Sequence, residues 1–277
     1  MLSAKAIAKE LLPPILVRAL RALRAKRIQR RRAREAILPF RCPVCRKGVA
    51  RFKPLPPFYD MQMEKYGYIH STHLSETMNR WHYKCPHCDA SDRDRLVALF
   101  LRERADAEGI GRVLDIAPSR ALSAMVKKLS PIEYRTADLL MDDVDDRLDI
   151  MDMSIYTEGS FEAVLCSHVL EHVPDDRKAM RELHRVLSPT GWAVLMVPIN
   201  LGLQEVCEDP TVQDPALRWK YFGLDDHVRL YSKAGFVTRL EEAGFRVEQL
   251  GVEHFGRDTF GRNGIAERAV LYVGRHL

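Results

Sequence analysis

The sequence predicts a doubly wound α/β domain, and three features predict it. Apolar runs of strand length recur at 112–116, 161–166 and 192–197, helical spacing fills the stretches between them, and acid-bearing loops follow the strands. Central strands that read as near-continuous apolar runs belong to a parallel sheet covered on both faces. With 277 residues, 46% of them hydrophobic, the chain is long enough to bury a large core.

Two smaller parts precede that domain, so the expected division is 1–36, 37–95 and 96–277. The first is a basic helical leader, with eleven Lys and Arg against two Glu, a net of +9. On a helix Ile15, Leu16, Ala19, Leu20 and Leu23 gather on one side, flanked by Arg18, Arg21 and Arg24. An amphipathic stretch followed by cations all round, from Lys26 to Arg34, suits an anionic membrane surface. A solvated N-terminal helix is the other reading. The remaining residues carry −4, which argues against a nucleic-acid-binding body. No apolar run approaches the roughly 20 residues of a membrane span, and no export signal is visible. The expected location is cytoplasmic, peripheral at the inner membrane face if the leader binds lipid.

The second part, 37–95, is rich in Cys, Pro and aromatics and poor in periodicity. It holds Cys42-Pro-Val-Cys45 and Cys85-Pro-His-Cys88, with 39 residues between the pairs. Two Cys-x-x-Cys turns can aim four thiolates at one ion, closing a tetrahedral site with no open position. Cys42, Cys45, Cys85 and Cys88 are therefore the expected ligands of a structural zinc in a ribbon-like module.

In the third part the elements run in order. Residues 112–116 read as a strand, 122–129 as a helix, 133–138 and 161–166 as strands. Pro174 is expected to open a helix whose stripe is Met180, Leu183, Val186 and Leu187, with Gly191 just beyond its end. Residues 192–197 form a buried strand, 233–243 a helix stopped by Gly244, and 245–250 and 268–273 the last strands.

Ligands in such sheets bind beyond the carboxyl ends of the strands, where strand order reverses. Asp115 and Ala117, Asp138, Asp149, and Ser167 with His168 fall at four successive ends. An acid closing a second strand suits a ribose diol, and an acid with apolar neighbours at the next loop suits an adenine.

The stretch Gly159-Ser-Phe-Glu-Ala-Val-Leu-Cys-Ser-His-Val-Leu-Glu-His-Val-Pro-Asp175, continuing through Met180-Arg-Glu-Leu-His-Arg-Val-Leu-Ser-Pro-Thr-Gly-Trp192, resembles the class I S-adenosylmethionine-dependent methyltransferases. The likeness covers about residues 112–275, and the small-molecule branch of that family is nearest. Similar proteins occur in bacterial surface-glycan clusters and also carry paired cysteines before the domain. The resemblance implies a Rossmann-like seven-stranded sheet. It also implies S-adenosylmethionine as cofactor, with Asp138 on the ribose and Asp149 on the adenine amine. Ile150 and Met151 would lie beside the ring, Asp115 and Ala117 at the methionine end, and Ser167 and His168 near the reactive methyl. One departure stands out. The family's first loop carries Gly-x-Gly, whereas this one reads Ala117-Pro-Ser-Arg120, and Ala117 alone is small enough to permit close approach.

A sugar hydroxyl is a poor nucleophile near neutral pH, so a general base is expected, in the order His168, His227, His172. Residues 198–226 form a long insertion expected to cover the acceptor, with His227 and Arg229 facing it. The resemblance thus points to O-methylation of a sugar hydroxyl in a surface glycan or its lipid-linked precursor. An RNA methyltransferase with a zinc ribbon and a non-catalytic scaffold are the alternatives. Nucleic acid is the less favoured partner, because the body is acidic and no Asp-Pro-Pro-aromatic or Pro-Cys signature is present.

Overall fold

The structure is a computed structural model and describes residues 14–107, 109–129 and 133–277. The leader's first residues, including Lys5 and Lys9, lie outside the described residues, as do the side chains of Pro14, Ile15, Ala19, Ile28 and residues 30–36. Helix α1, Pro14–Ala36, follows. Leu16, Leu20 and Leu23 stand 49%, 54% and 64% exposed, so the chain itself does not bury these three leucines. No helix among the described residues is long and apolar enough to cross a membrane.

A short antiparallel pair, β1 (Phe40–Arg41) and β2 (Gly48–Val49), frames the first cysteine turn. Helix α2, Pro57–Tyr66, stops at Gly67, whose left-handed backbone closes the last turn. Helix α3, Asp92–Ala107, begins beside the second cysteine turn and runs past residue 95 into the following domain. The rest alternates strand and helix: β3 Arg112–Ile116, α4 Arg120–Val126, β4 Glu133–Asp138, β5 Asp146–Arg147, β6 Phe161–Ser167, α5 Asp176–Val186 and β7 Leu187–Met196. Then come β8 Cys207–Glu208, α6 Pro215–Phe222, β9 Arg229–Leu230, α7 Lys233–Glu242, β10 Phe245–Leu250, α8 Val252–Phe255, α9 Arg257–Arg262 and β11 Leu271–His276.

Seven strands make the central sheet in the order β10-β11-β7-β6-β3-β4-β5. β5, β4, β3, β6 and β7 are mutually parallel, and β11 runs antiparallel to both β7 and β10. Alternate strand residues feed opposite faces. Val113, Leu165, Val194 and Met196 pack with α3 and α4, while Leu114, Val164, Cys166 and Leu195 pack with α5 and α7. This is the expected doubly wound, Rossmann-like α/β fold.

Four element boundaries differ from expectation, the first being α4, which spans Arg120–Val126 rather than 122–129. Pro174 does not open a helix. Asp175 caps α5 instead, its carboxylate accepting from Lys178 N at 2.9 Å, and the Pro174 carbonyl accepts from Arg229 Nη2. Leu187 passes from helix directly into strand, so Gly191 lies inside β7 rather than beyond a helix. A Cβ on Gly191 would stand 2.8 Å from the Glu162 carbonyl, so this strand crossing requires glycine. The last strand begins at Leu271 rather than 268, after a turn in which Ala269 N donates to Ala266 O.

Two buried polar networks hold the layers. Arg95, fully buried, donates to the carbonyls of Tyr83 and Ala90 on one side and of Asn263 and Gly264 on the other, and to that of His82. Its guanidinium also lies 4.1 Å from the centre of the Phe52 ring. Across the sheet, Asp176 accepts from Tyr231 and from Arg239, each at 2.6 Å, and Glu208 accepts from Arg229 and Arg239.

Candidate active site

β3 lies between β4 and β6, so the chain reverses direction across the sheet between β3 and β6. At their carboxyl ends a cavity of about 440 Å³ opens, lined by Asp115, Ile116 and Ala117 from β3 and by Leu165, Ser167 and His168 from β6. Its volume suits a small-molecule ligand.

Ala117 has φ +50° and its N–H donates to the Ala137 carbonyl at 2.9 Å. The loop without glycine therefore holds a left-handed turn of the kind glycine adopts freely, and tolerates its strain. Ser119 then caps α4, its Oγ accepting from Leu122 N. Asp115 is buried and accepts from the Tyr134 hydroxyl. Burial pushes its carboxyl up to about 7, with the Tyr134 hydrogen bond opposing.

The other acids stand differently. Asp138 accepts from Leu140 N and Met141 N, each at 2.7 Å, and Asp149 accepts from Met151 N at 2.8 Å, so each also caps its own turn. Ile150 is buried in the core below the sheet and Met151 is half-buried against it. None of these four lines the cavity.

A second cavity of about 330 Å³ adjoins the first. The insertion after β7 walls it with Pro198, Asn200, Phe222 and Leu224, and residues 55–83 close it with Tyr59, Met63 and Tyr68. His168, His172 and His227 all line it, and Tyr83, Arg93 and His168 belong to both cavities. Arg229 does not face it. Its guanidinium donates instead to the carbonyls of Leu170, Val173 and Pro174 and to Glu208.

His168 sits at the seam with φ +59°. Arg93 Nη1 lies 2.9 Å from its Nδ1, and Glu171 Oε1 lies 3.0 Å from the same atom. Accepting from Arg93 leaves the proton on Nε2, whereas donating to Glu171 leaves Nε2 a bare lone pair. Burial, and then Arg93, hold the His168 pKa down to about 4. Nε2 is buried and has no hydrogen-bond partner. The Glu171 carboxylate is wholly buried. The neighbouring histidines outweigh the desolvation and hold it down at about 2.

The four thiols come together as their spacing predicts. Cys42 and Cys88 Sγ are 3.8 Å apart, and Cys45 and Cys85 Sγ 3.9 Å. Sulfurs about 2.3 Å from a shared tetrahedral ion stand about 3.8 Å apart. Arg46 and Asp89 follow the two pairs at φ +61° and +57°, which turns each chain back around its thiols.

Sequence reasoning missed Arg93, Tyr83 and the whole contribution of residues 55–83. The signal for Arg93 was present in Asp92-Arg93-Asp94-Arg95, an alternating charge run opening a helix that leads into the first strand. The aromatics at 59–83 carry no period that would assign them a wall.

Comparison with known proteins adds a family. A family described as "Methyltransferase domain" matches residues 74–250. A ubiquinone biosynthesis O-methyltransferase from Thiobacillus denitrificans (strain ATCC 25259 / T1) is 27% identical over 92 residues. That match covers 33% of this chain and 39% of the relative, well under half of its length. Among solved structures, a SAM-dependent methyltransferase from Archaeoglobus fulgidus aligns with TM-score 0.43 and 16% identity, over 65% of this chain and 93% of that one. Burkholderia thailandensis 1,6-didemethyltoxoflavin-N1-methyltransferase, solved with S-adenosylhomocysteine, aligns with TM-score 0.41 and 13% identity over 66% and 77% of the two chains.

Proposed function

Because this chain belongs to the methyltransferase-domain family, we propose that it methylates a hydroxyl of a small acceptor, a sugar of a bacterial surface glycan or its lipid-linked precursor. The observation that carries the reading is the pair of adjoining cavities sharing Tyr83, Arg93 and His168. S-adenosylmethionine would supply an electrophilic methyl group. Its site would be formed by Asp115, Ala117 and Ser167, with Asp138, Asp149, Ile150 and Met151 at the neighbouring strand ends. The chemistry of the first cavity fits such a group, since Asp115 offers a carboxylate and Ala117 a close backbone approach.

The acceptor would occupy the second cavity, whose aromatic walls suit the apolar face of a sugar ring and whose polar groups suit its hydroxyls. His168 then takes the acceptor proton on Nε2, with Nδ1–H directed to Glu171. His227 and His172 complete the polar wall. Cys42, Cys45, Cys85 and Cys88 hold a structural zinc in this reading, and the exposed Leu16, Leu20 and Leu23 of α1 rest on anionic lipid at the inner membrane face.

Calorimetric titration of the full chain with S-adenosylmethionine tests the cofactor, with Asp115→Asn as the weakened control. Labelled methyl transfer to a panel of lipid-linked and free glycans tests the acceptor. Cofactor binding without transfer to any hydroxyl acceptor overturns the assignment. A purified full chain that yields no zinc on denaturation overturns the metal.

A further inference from the structure

Glu171 is a wholly buried carboxylate on the wall of the second cavity. His168 Nδ1, which Arg93 also contacts, stands 3.0 Å from Oε1, and Oε2 has no hydrogen-bond donor in place. A buried carboxylate with an oxygen left unanswered is costly to a fold unless a cation meets it.

Two histidines are turned toward it with their other nitrogens already committed. His172 Nδ1 lies 3.3 Å from Asp226 Oδ2, and His227 Nδ1 lies 3.2 Å from the Phe222 carbonyl. Donation by each Nδ1–H leaves each Nε2 as a lone pair. A carboxylate or a backbone carbonyl behind the ring is how proteins orient imidazoles as metal ligands. The two rings meet edge to face, 4.7 Å between centres. His172 Nε2 stands 4.0 Å from Glu171 Oε1, too far for a hydrogen bond and within the spacing of two ligands on one ion. One ligand atom from each of Glu171, His172 and His227 lies within 4.8 Å of the others.

We propose that Glu171, His172 and His227 form a binding site for a divalent first-row metal cation on the wall of the acceptor cavity. Two imidazoles and one carboxylate occupy three positions and leave the others open. All three residues line the cavity, so the open positions face its interior. An acceptor with adjacent hydroxyl oxygens can fill two of them, which names the acceptor class as vicinal diols. That last step rests on the reading of this cavity as the acceptor site. The Cys site is separate, being all sulfur and closed.

Mn²⁺ titrated into the full chain and followed by electron paramagnetic resonance tests the site, since Mn²⁺ favours nitrogen and oxygen ligands over thiolates. One bound Mn²⁺ per chain is expected, with affinity at least about tenfold weaker in Glu171→Gln and in His172→Ala, the scale on which lost metal-site partners act. S-adenosylmethionine binding by calorimetry should persist in both variants, which separates loss of the metal from loss of the fold. No Mn²⁺ bound by the wild-type chain, or undiminished binding in both variants, overturns the proposal. Metal binding without transfer to any hydroxyl would leave the metal site standing and overturn only the proposed reaction.

Discussion

Arg93 and Glu171 converge on one atom: the guanidinium stands 2.9 Å and the carboxylate 3.0 Å from Nδ1 of His168. A cation and an anion thus compete for the nitrogen that decides whether the opposite edge of the ring donates or accepts. His168→Gln should lower methyl transfer by about 10²–10⁴, the usual yield of a positioned acid–base group, far more than it lowers cofactor affinity. Unaltered turnover would remove His168 from the chemistry.

Arg93→Gln isolates the cation's share. Burial and Arg93 together hold His168 at about 4, so the imidazole is neutral at pH 7. A histidine whose folded pKa is depressed contributes stability that is present above pH 6.5 and lost as pH falls toward 4. In Arg93→Gln the ring should titrate at higher pH in an NMR titration, and that acid-linked loss should narrow. An unmoved titration would leave burial as the whole cause.

Asp115 makes a prediction of opposite sign. Burial lifts its pKa to about 7, so the folded chain holds a proton that the unfolded chain releases, and stability without ligand rises as pH falls from 7 toward 4. In the proposed reading Asp115 meets the ammonium at the methionine end of the cofactor, which needs the ionised form. S-adenosylmethionine affinity should therefore improve by up to about tenfold per unit as pH rises toward 7 and level off above it. Asp115→Asn should bind weakly with a flat profile. A flat wild-type profile would place the ammonium elsewhere.

Ala117→Gly should stabilise the chain by about 1 kcal/mol in urea unfolding, because glycine occupies φ +50° without the penalty an L side chain bears. A loss of stability would show that the Ala117 methyl, half-buried against the core, contributes more packing than its backbone strain costs.

Asp176 joins α5 to α7 through Arg239 and to the chain beyond β9 through Tyr231. Asp176→Ala leaves Arg239 with Glu208 alone and the Tyr231 hydroxyl with only the Leu170 carbonyl at 3.4 Å, and should cost about 1–3 kcal/mol in chemical denaturation. The Glu208 carboxylate, held at about 2 by its two arginines against its own desolvation, adds acid sensitivity. Its contribution is present above about pH 4.5 and is lost as pH falls toward 2.

The strands were legible because parallel strands buried on both faces must be apolar throughout, as Val113, Leu114, Val164, Leu165, Val194 and Leu195 are. The cysteine cluster was legible because two short turns can bring four thiols together from any distance along the chain. What fills the space above the sheet was not. Tyr59, Met63, Tyr68 and Tyr83 reach the cavity by the path of a loop-rich segment, and no periodicity records a path. Gly191 and Pro174 misled for a related reason. Both residues commonly punctuate helices, and here a strand crossing and an arginine acceptor use them instead. Arg93 was hidden by its surroundings, an ordinary-looking run of surface charge that folds inward.

Arg95 bears on how such a chain can evolve. Its guanidinium answers three carbonyls in the cysteine-rich segment, at His82, Tyr83 and Ala90, and two near the end of the chain, at Asn263 and Gly264. A recombination event that copied residues 37–90 into another gene would deliver three buried acceptors with nothing to meet them. One that deleted them would strip the same guanidinium of most of its partners. The segment and the sheet are therefore one physical unit, since neither keeps its buried groups paired without the other.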